Sequence, residues 1–167
     1  MRRTSSTETT QELAATLAPY LHGGDVVVLE GDLGAGKTQF VKGVASALGV
    51  SAPVTSPTFN ILLSYEEGRI PLHHLDLYRL DEPAELEDLD YFTLIDGDGD
   101  GVAFVEWAGK FPNEMPCDYL EISITTNAED GVRTIQAHSF GSRARQLLFV
   151  WAKDPASRLM KSTGRTS

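Results

Sequence analysis

The stretch that decides the fold runs from residue 26 to residue 38 and reads VVVLEGDLGAGKT. Its first four residues form an uninterrupted apolar run of strand length, as expected for a strand that is buried on both faces. A glycine-rich turn follows, and Phe40, Val44 and Leu48 then recur at helical spacing until Gly49. A strand, a glycine turn and a helix in this order are typical of the start of an α/β domain.

The turn at residues 31–38, GDLGAGKT, matches the phosphate-loop pattern G-x-x-x-x-G-K-[ST]. Glycines in such a loop allow positive φ angles, which turn backbone N–H groups inward around phosphate oxygens. The N-terminus of the following helix is partly positive and faces the same anion. The pattern predicts that Lys37 reaches the β- and γ-phosphates and that the Thr38 hydroxyl is a ligand of Mg²⁺. A dinucleotide-binding fingerprint is excluded, because Gln39 stands where it requires Gly or Ala.

Two carboxylic acids lie at the ends of other predicted strands. Asp76 is near the end of the alternating segment 70–77, and Glu106 directly follows the apolar run 102–105. In an open α/β sheet, ligands bind outside the carboxyl ends of the strands. A phosphate-loop protein needs an acid near its metal ion and a group that positions the attacking water. Each acid alone could be an ordinary solvated carboxylate, but beside the phosphate loop both are candidates for the site.

The remaining sequence predicts a single α/β domain of the P-loop NTPase type over residues 1–153. Its central sheet is expected to be mixed and flanked by helices. Residues 154–167 are expected to be a flexible C-terminal tail. Thr9 and Glu12 have capping-box spacing and predict a first helix that ends at the Gly23-Gly24 pair. Residues 51–58 predict a loop. Further strands are predicted at residues 59–64, 70–77, 102–105, 119–125 and 132–137, and a last helix at residues 142–153.

Composition and charge exclude several classes of protein. The chain has 14 Lys and Arg against 24 Asp and Glu, a formal net charge of −10, which disfavours direct binding to DNA, RNA or anionic lipid. No apolar run approaches the ~18 residues of a membrane span, and residues 1–10 lack the apolar core of a signal peptide. The single Cys117 cannot form an internal disulfide. We therefore expect a cytoplasmic protein.

The order of four motifs resembles the bacterial TsaE (YjeE) family of small P-loop ATPases, which act in the biosynthesis of tRNA N6-threonylcarbamoyladenosine. The motifs are GDLGAGKT at 31–38, SPT at 56–58, HLDLYRL at 74–80 and VEW at 105–107. The resemblance extends from about Thr10 to about Ala137. It implies a Mg²⁺-dependent ATPase that binds a TsaB–TsaD-like complex and sustains its turnover. Contact with tRNA would then be made only through that complex.

The resemblance also implies roles for individual residues. Lys37 and Asp76 would be catalytic. Asp76 would either position the attacking water directly or act from behind the residues that contact the metal and water. Thr38 and Glu106 would hold Mg²⁺, and Thr58 could sense the γ-phosphate. The implied ATP-binding residues are Thr10, Asp32, Leu33, Gly34, Ala35, Gly36, Lys37, Thr38, Gln39 and Thr58. Gln39 departs from the family, which usually has Thr there, so the α-phosphate contact would be left to the backbone.

Several other features have two readings. Trp107 is as typical of a core aromatic as of a site residue. The DGDGDG stretch at 96–101 has the start of a calcium-loop pattern, but the twelfth position is Trp107 instead of Glu, which favours a solvated loop. His73 and His74 are adjacent in a strand and should face opposite ways. Arg143 and Arg145 are expected to lie on the solvated surface; the alternative is that they contact nucleotide or a partner.

Three functions are compatible with a phosphate loop in this setting. The first is an ATPase that works on a partner complex, the second is a small-molecule kinase, and the third is a nucleotide-gated switch with negligible turnover. A kinase usually carries cationic residues over the transferring phosphate, and the sequence shows no arginine-rich lid segment. No single-chain signature specifies the base, so ATP as the nucleotide rests on the family resemblance.

Overall fold

A seven-stranded mixed sheet runs through the protein, which we describe from a computed structural model for residues 1–158. The strand order is β1-β7-β6-β2-β5-β4-β3. Strands β6, β2, β5 and β4 are parallel neighbours, whereas β1, β7 and β3 pair antiparallel at the edges. The strands are β1 Arg2–Thr4, β2 Val26–Glu30, β3 Leu62–Tyr65, β4 Leu72–Asp76, β5 Val102–Glu106, β6 Tyr119–Thr126 and β7 Arg133–Phe140. The predicted mixed sheet is therefore confirmed.

Helices cover both faces of this sheet. One face carries α1 (Thr7–Ala15), α2 (Lys37–Leu48) and α4 (Ser142–Lys153), and the other carries α3 (Tyr91–Ile95) with the 3₁₀ turns Pro83–Leu89 and Ala108–Lys110. Side chains alternate along a strand, so β2 sends Val27 and Leu29 into the first core and Val26 and Val28 into the second. All four are nearly or fully buried, which explains the uninterrupted apolar run in the sequence.

Elements with strong local signals lie where the sequence predicts them. The last helix has the predicted bounds, 142–153, and β6 and β7 form the predicted antiparallel hairpin. The strands predicted at 59–64 and 70–77 are shorter in the structure, because the chain turns at Ile61 (φ +65°) and Asp76 is the last residue of β4. Strand β1 and helix α3 were not predicted.

The first helix differs from its prediction at both ends. It begins at Thr7, and its capping box joins Ser6 to Thr9: the Ser6 side chain accepts from the Thr9 N–H at 3.1 Å, and Thr9 Oγ1 accepts from the Ser6 N–H at 3.1 Å. The predicted pair of Thr9 and Glu12 was wrong. The helix ends at Ala15, and a separate 3₁₀ turn follows at Ala18–Tyr20. Pro19 favours this break, because proline has no N–H to donate to the Ala15 carbonyl four residues earlier.

Part of the segment predicted as a flexible tail contacts the domain. The Tyr20 hydroxyl donates to Asp154 Oδ2 at 3.1 Å, and Arg2 Nη1 donates to the Ser157 carbonyl at 2.9 Å. The rest of that segment, residues 159–167, lies outside the described residues. Within residues 1–158, no helix has both the length and the apolar character needed to cross a membrane.

Candidate nucleotide site

The phosphate loop connects β2 to α2 at the carboxyl end of the central strand. Gly34 (φ +77°) and Gly36 (φ +111°) adopt backbone conformations that disfavour other L-residues. Gly36 is also the N-cap of α2, and no side chain caps this helix end. The uncapped N–H groups of a 12-residue helix therefore face the loop, which is the arrangement that binds phosphate in proteins.

The side chain of Lys37 is held in place by backbone carbonyls of the phosphate loop. Its side chain is nearly buried, and Nζ donates to the carbonyl oxygens of Gly31 at 2.6 Å and Asp32 at 2.9 Å. The same ammonium lies 4.8 Å from the centre of the Trp107 ring, within range of a cation–π contact. A phosphate oxygen that entered the loop would compete with the two carbonyls for this ammonium.

Glu106 lies beside Thr38 and is held by a buried histidine. The Thr38 hydroxyl donates to Glu106 Oε1 over 3.4 Å, a weak contact, whereas His74 Nε2 lies 2.9 Å from the same oxygen. His74 is fully buried, and its Nδ1 has no hydrogen-bond partner among the described residues. An ionised carboxylate can only accept, so the bond to Glu106 requires the proton on Nε2. As predicted, His73 faces the other way. Its Nδ1 lies 2.8 Å from Ser64 Oγ.

Asp76 lies next to Glu106, because the two residues are paired in the β4–β5 register. The Thr58 hydroxyl donates to Asp76 Oδ2 at 2.9 Å, and the Tyr78 N–H donates to Oδ1 at 3.0 Å. Ser56 and Thr58 are joined by a hydrogen bond of 2.7 Å between their hydroxyls. The loop at 56–58 is thereby attached to the acid that ends β4.

These elements line one cavity of about 260 Å³. It brings together the predicted residues Leu33, Gly34, Gly36, Lys37, Thr38, Gln39, Thr58, Asp76 and Glu106. Asp32 and Ala35 belong to the loop without lining the cavity. The structure places Thr10 elsewhere: it is fully buried, and its hydroxyl bonds to Thr4 Oγ1 at 2.8 Å and to the Ser6 carbonyl at 3.0 Å. Thr7, one helical turn earlier, lines the cavity instead.

Three further lining residues were missed or left open by the sequence. Arg133 reaches the loop from β7, and its Nε donates to the Ala35 carbonyl at 3.1 Å. No local signal marks it, since 98 residues separate the two partners. Trp107, which the sequence left open between the core and the site, lines the cavity and has φ +63°. Its ring centroid lies 5.0 Å from that of Tyr78. Ser56 completes the set.

The other candidate residues lie away from this cavity. Arg143 pairs with the buried Asp25 through contacts of 2.7 Å, which place it at the amino end of β2, and Arg145 is exposed. Asp96, Asp98 and Asp100 are exposed in a loop whose last residue, Gly101, accepts a hydrogen bond from the Gly24 N–H at 2.9 Å. These features favour structural and surface roles over metal or nucleotide binding.

The chain offers few ligands of its own for a metal ion. Among residues 1–158, no group of three or more His, Cys, Asp and Glu side chains could hold a metal. Thr38 and Glu106 supply the oxygen ligands that Mg²⁺ prefers, and Mg²⁺ usually takes its other ligands from water and phosphate. The pair therefore fits a metal that arrives with a nucleotide.

Glu30 ends β2 directly behind the phosphate loop. Burial raises the pKa of this carboxyl, while a hydrogen bond from the Gly109 N–H opposes the rise and the nearby Glu121 adds to it. A carboxylate in this position adds negative charge close to Lys37.

Comparison with known proteins identifies the family. A model of the TsaE family, described as threonylcarbamoyl adenosine biosynthesis protein TsaE, matches residues 4–135. The chain belongs to the TsaE family. Its role therefore lies in threonylcarbamoyl adenosine biosynthesis.

Individual TsaE proteins agree over most of their length. The tRNA threonylcarbamoyladenosine biosynthesis protein TsaE of Bacillus subtilis (strain 168) is 42% identical over 146 residues, which cover 87% of this chain and 89% of the relative. The protein of the same description from Streptomyces coelicolor is 39% identical over 140 residues, 80% of this chain and 92% of the relative. A crystal structure of Bacillus subtilis YdiB superposes with a TM-score of 0.76 at 37% identity and covers 91% of this chain and 93% of that one. The expected fold and family are confirmed.

Proposed function

We propose that this TsaE protein is a Mg²⁺-dependent ATPase that binds a TsaB–TsaD-like complex and hydrolyses ATP to sustain tRNA N6-threonylcarbamoyladenosine formation. The observation that carries the proposal is the convergence of Lys37, Thr38, Asp76 and Glu106 on one cavity at the carboxyl ends of β2, β4 and β5. An anion-binding loop beside two carboxylates suits a nucleotide with its metal.

Each of these side chains has a defined task in the proposed reaction. Lys37 exchanges its two loop carbonyls for β- and γ-phosphate oxygens. Thr38 and Glu106 would hold Mg²⁺, which would supply positive charge next to the transferring phosphate. Asp76 accepts one hydrogen bond on each oxygen, so each oxygen keeps a lone pair with which it orients the attacking water. The Thr58 hydroxyl donates to the same acid, which supports a role for the 56–58 loop in responding to the γ-phosphate.

The surface around the cavity supports the need for a protein partner. Leu33 in the phosphate loop is 67% exposed, and Phe59, directly after the 56–58 loop, is 79% exposed. Exposed apolar side chains next to two loops of the site are compatible with a surface that another protein covers. The net charge of −10 supports a role in which basic partners, instead of this chain, contact tRNA. An exposed, unpaired Cys117 is compatible with a role in the cytoplasm.

No observation favours the small-molecule kinase. A second cavity of about 680 Å³ is lined by Asp25, Val26 and Arg143 among others, and it shares no lining residue with the nucleotide cavity. An acceptor bound there would be too far from the phosphates for direct transfer.

The proposal is tested by measuring phosphate release and tRNA modification together. ATP turnover by the wild-type protein should be slow alone and rise when the TsaB–TsaD-like pair is added. Lys37→Ala should abolish both the rise and multiple-turnover formation of modified tRNA. Lys42→Ala is the matched control, since Lys42 is on the same helix and does not line the cavity. Tracing phosphate to a small acceptor would favour the kinase, and modification that proceeds equally without this protein would refute the proposal.

A further inference from the structure

Arg133 lies against the phosphate loop from the side opposite the two acids. It is the first residue of β7, and its Nε donates to the Ala35 carbonyl at 3.1 Å. A Cβ atom at Gly36 would lie 3.1 Å from this Nε and 3.4 Å from Arg133 Cδ, so a side chain there would crowd the arginine. The glycine before Lys37 therefore makes room for a cation beside the loop.

The guanidinium of Arg133 has donors to spare. Within residues 1–158, its Nη1 and Nη2 form no hydrogen bond or ion pair, and the side chain lines the nucleotide cavity. Two other arginines use their Nη2 atoms. Arg69 Nη2 donates to the carbonyls of Ala18 and Leu21. Arg143 Nη2 donates to Asp25 Oδ2 and to the Tyr20 carbonyl. A guanidinium with unused N–H groups at the wall of an anion-binding loop suits a phosphate oxygen.

The order of the strands indicates which phosphate group of the nucleotide Arg133 would contact. Strand β2, which leads into the loop, has β5 with Glu106 on one side and β6, followed by β7 with Arg133, on the other. In the proposed function the metal and the γ-phosphate lie on the acid side, next to Thr38 and Glu106. Arg133 lies across the loop from them, toward the α-phosphate end. Gln39 lines the same cavity, and its Oε1 accepts from Gln11 Nε2 at 2.8 Å, which leaves the Nε2 of Gln39 as a second donor on this side of the loop.

We propose that Arg133 binds the α-phosphate of ATP and of ADP. This inference rests on the proposed function as a nucleotide site. Arg133 is then a binding residue that both nucleotides use, in contrast to an arginine finger, which would act on the γ-phosphate in the transition state. Its loss should weaken ATP and ADP binding by the same factor.

The test compares Arg133→Gln, Arg133→Lys and wild type by calorimetric titration with Mg²⁺–ATP and Mg²⁺–ADP. Loss of a charged hydrogen bond predicts affinity about tenfold lower for both nucleotides in Arg133→Gln. Arg133→Lys should retain part of the affinity, because it keeps the charge without the planar fork. The control is Arg3→Gln, which removes the same charge from the neighbouring strand β1, where Arg3 is exposed near Asp130. It should bind like wild type.

The outcomes separate this inference from the function beneath it. If wild type binds both nucleotides and Arg133→Gln binds them with the same affinity, the role of Arg133 is overturned and the nucleotide site stands. A fall in kcat with unchanged ADP affinity would also overturn it, because it would place the arginine at the γ-phosphate. Equal losses in the Gln and Lys variants would reduce Arg133 to a tether of the Ala35 carbonyl. Wild-type protein that binds neither nucleotide would refute the proposed function itself.

Discussion

Replacing His74 should weaken Mg²⁺ binding at the proposed metal site and leave the phosphate loop unchanged. His74 lies on β4, is fully buried and bonds through Nε2 to Glu106 Oε1 at 2.9 Å. We expect His74→Phe to raise the Mg²⁺ concentration needed for half-maximal ATP hydrolysis. Affinity for ATP in the absence of Mg²⁺ should stay near that of wild type, because Lys37 and the loop are unchanged.

The size of the effect follows from how few partners Glu106 has. Its side chain is 5% exposed, and within residues 1–158 its only hydrogen-bond partner besides His74 is the Thr38 hydroxyl at 3.4 Å. Loss of a hydrogen bond to a charged group costs about 1.5–3 kcal/mol. Loss of a residue that orients a metal ligand typically lowers metal affinity about 10–100-fold. We therefore expect an increase in the Mg²⁺ requirement of about tenfold or more.

The assay is a Mg²⁺ titration of ATP turnover with the TsaB–TsaD-like pair present. Glu106→Gln sets the scale for loss of the metal ligand itself. His73→Phe is the control, since His73 is the adjacent residue on the same strand and contacts Ser64 on the other face. If His74→Phe keeps the wild-type Mg²⁺ requirement while Glu106→Gln raises it, the orienting role of His74 is refuted.

Three more expectations follow from single contacts. Asp76→Asn should keep nucleotide affinity and lose most ATP turnover; normal turnover would remove its assigned role. Arg143→Ala should lower the free energy of unfolding by about 2–4 kcal/mol in urea titrations, because it leaves the buried Asp25 without its ion pair; a change below about 0.5 kcal/mol would contradict this. Burial raises the pKa of Glu30, so its ionisation opposes folding as pH rises through that pKa. Glu30→Gln should therefore raise the melting temperature at pH 7, with a smaller difference near pH 4.

The sequence predicts the parts of this site that depend on local signals. The loop at 31–38 encodes its own turn and the start of α2, and the apolar runs before Asp76 and Glu106 place both acids at strand ends. The contribution of Arg133 could not be predicted, because it depends on β7 lying beyond β6 in the sheet order. The same limit applies to Thr10, which faces β1, a three-residue strand without apolar alternation that is ordered by pairing with β7.

Metal and nucleotide should bind to this site as a unit. Asp76 and Glu106 are adjacent in the β4–β5 register and are 3% and 4% exposed, and no Lys or Arg in the described part of the chain forms an ion pair with either. Two neighbouring buried carboxylates repel each other, and a divalent cation relieves that repulsion. Thr38 and Glu106 alone leave most positions of a six-coordinate Mg²⁺ to other oxygens. In the proposed function, phosphate oxygens would fill them only when the loop holds the nucleotide, so each ligand should strengthen binding of the other by the same factor.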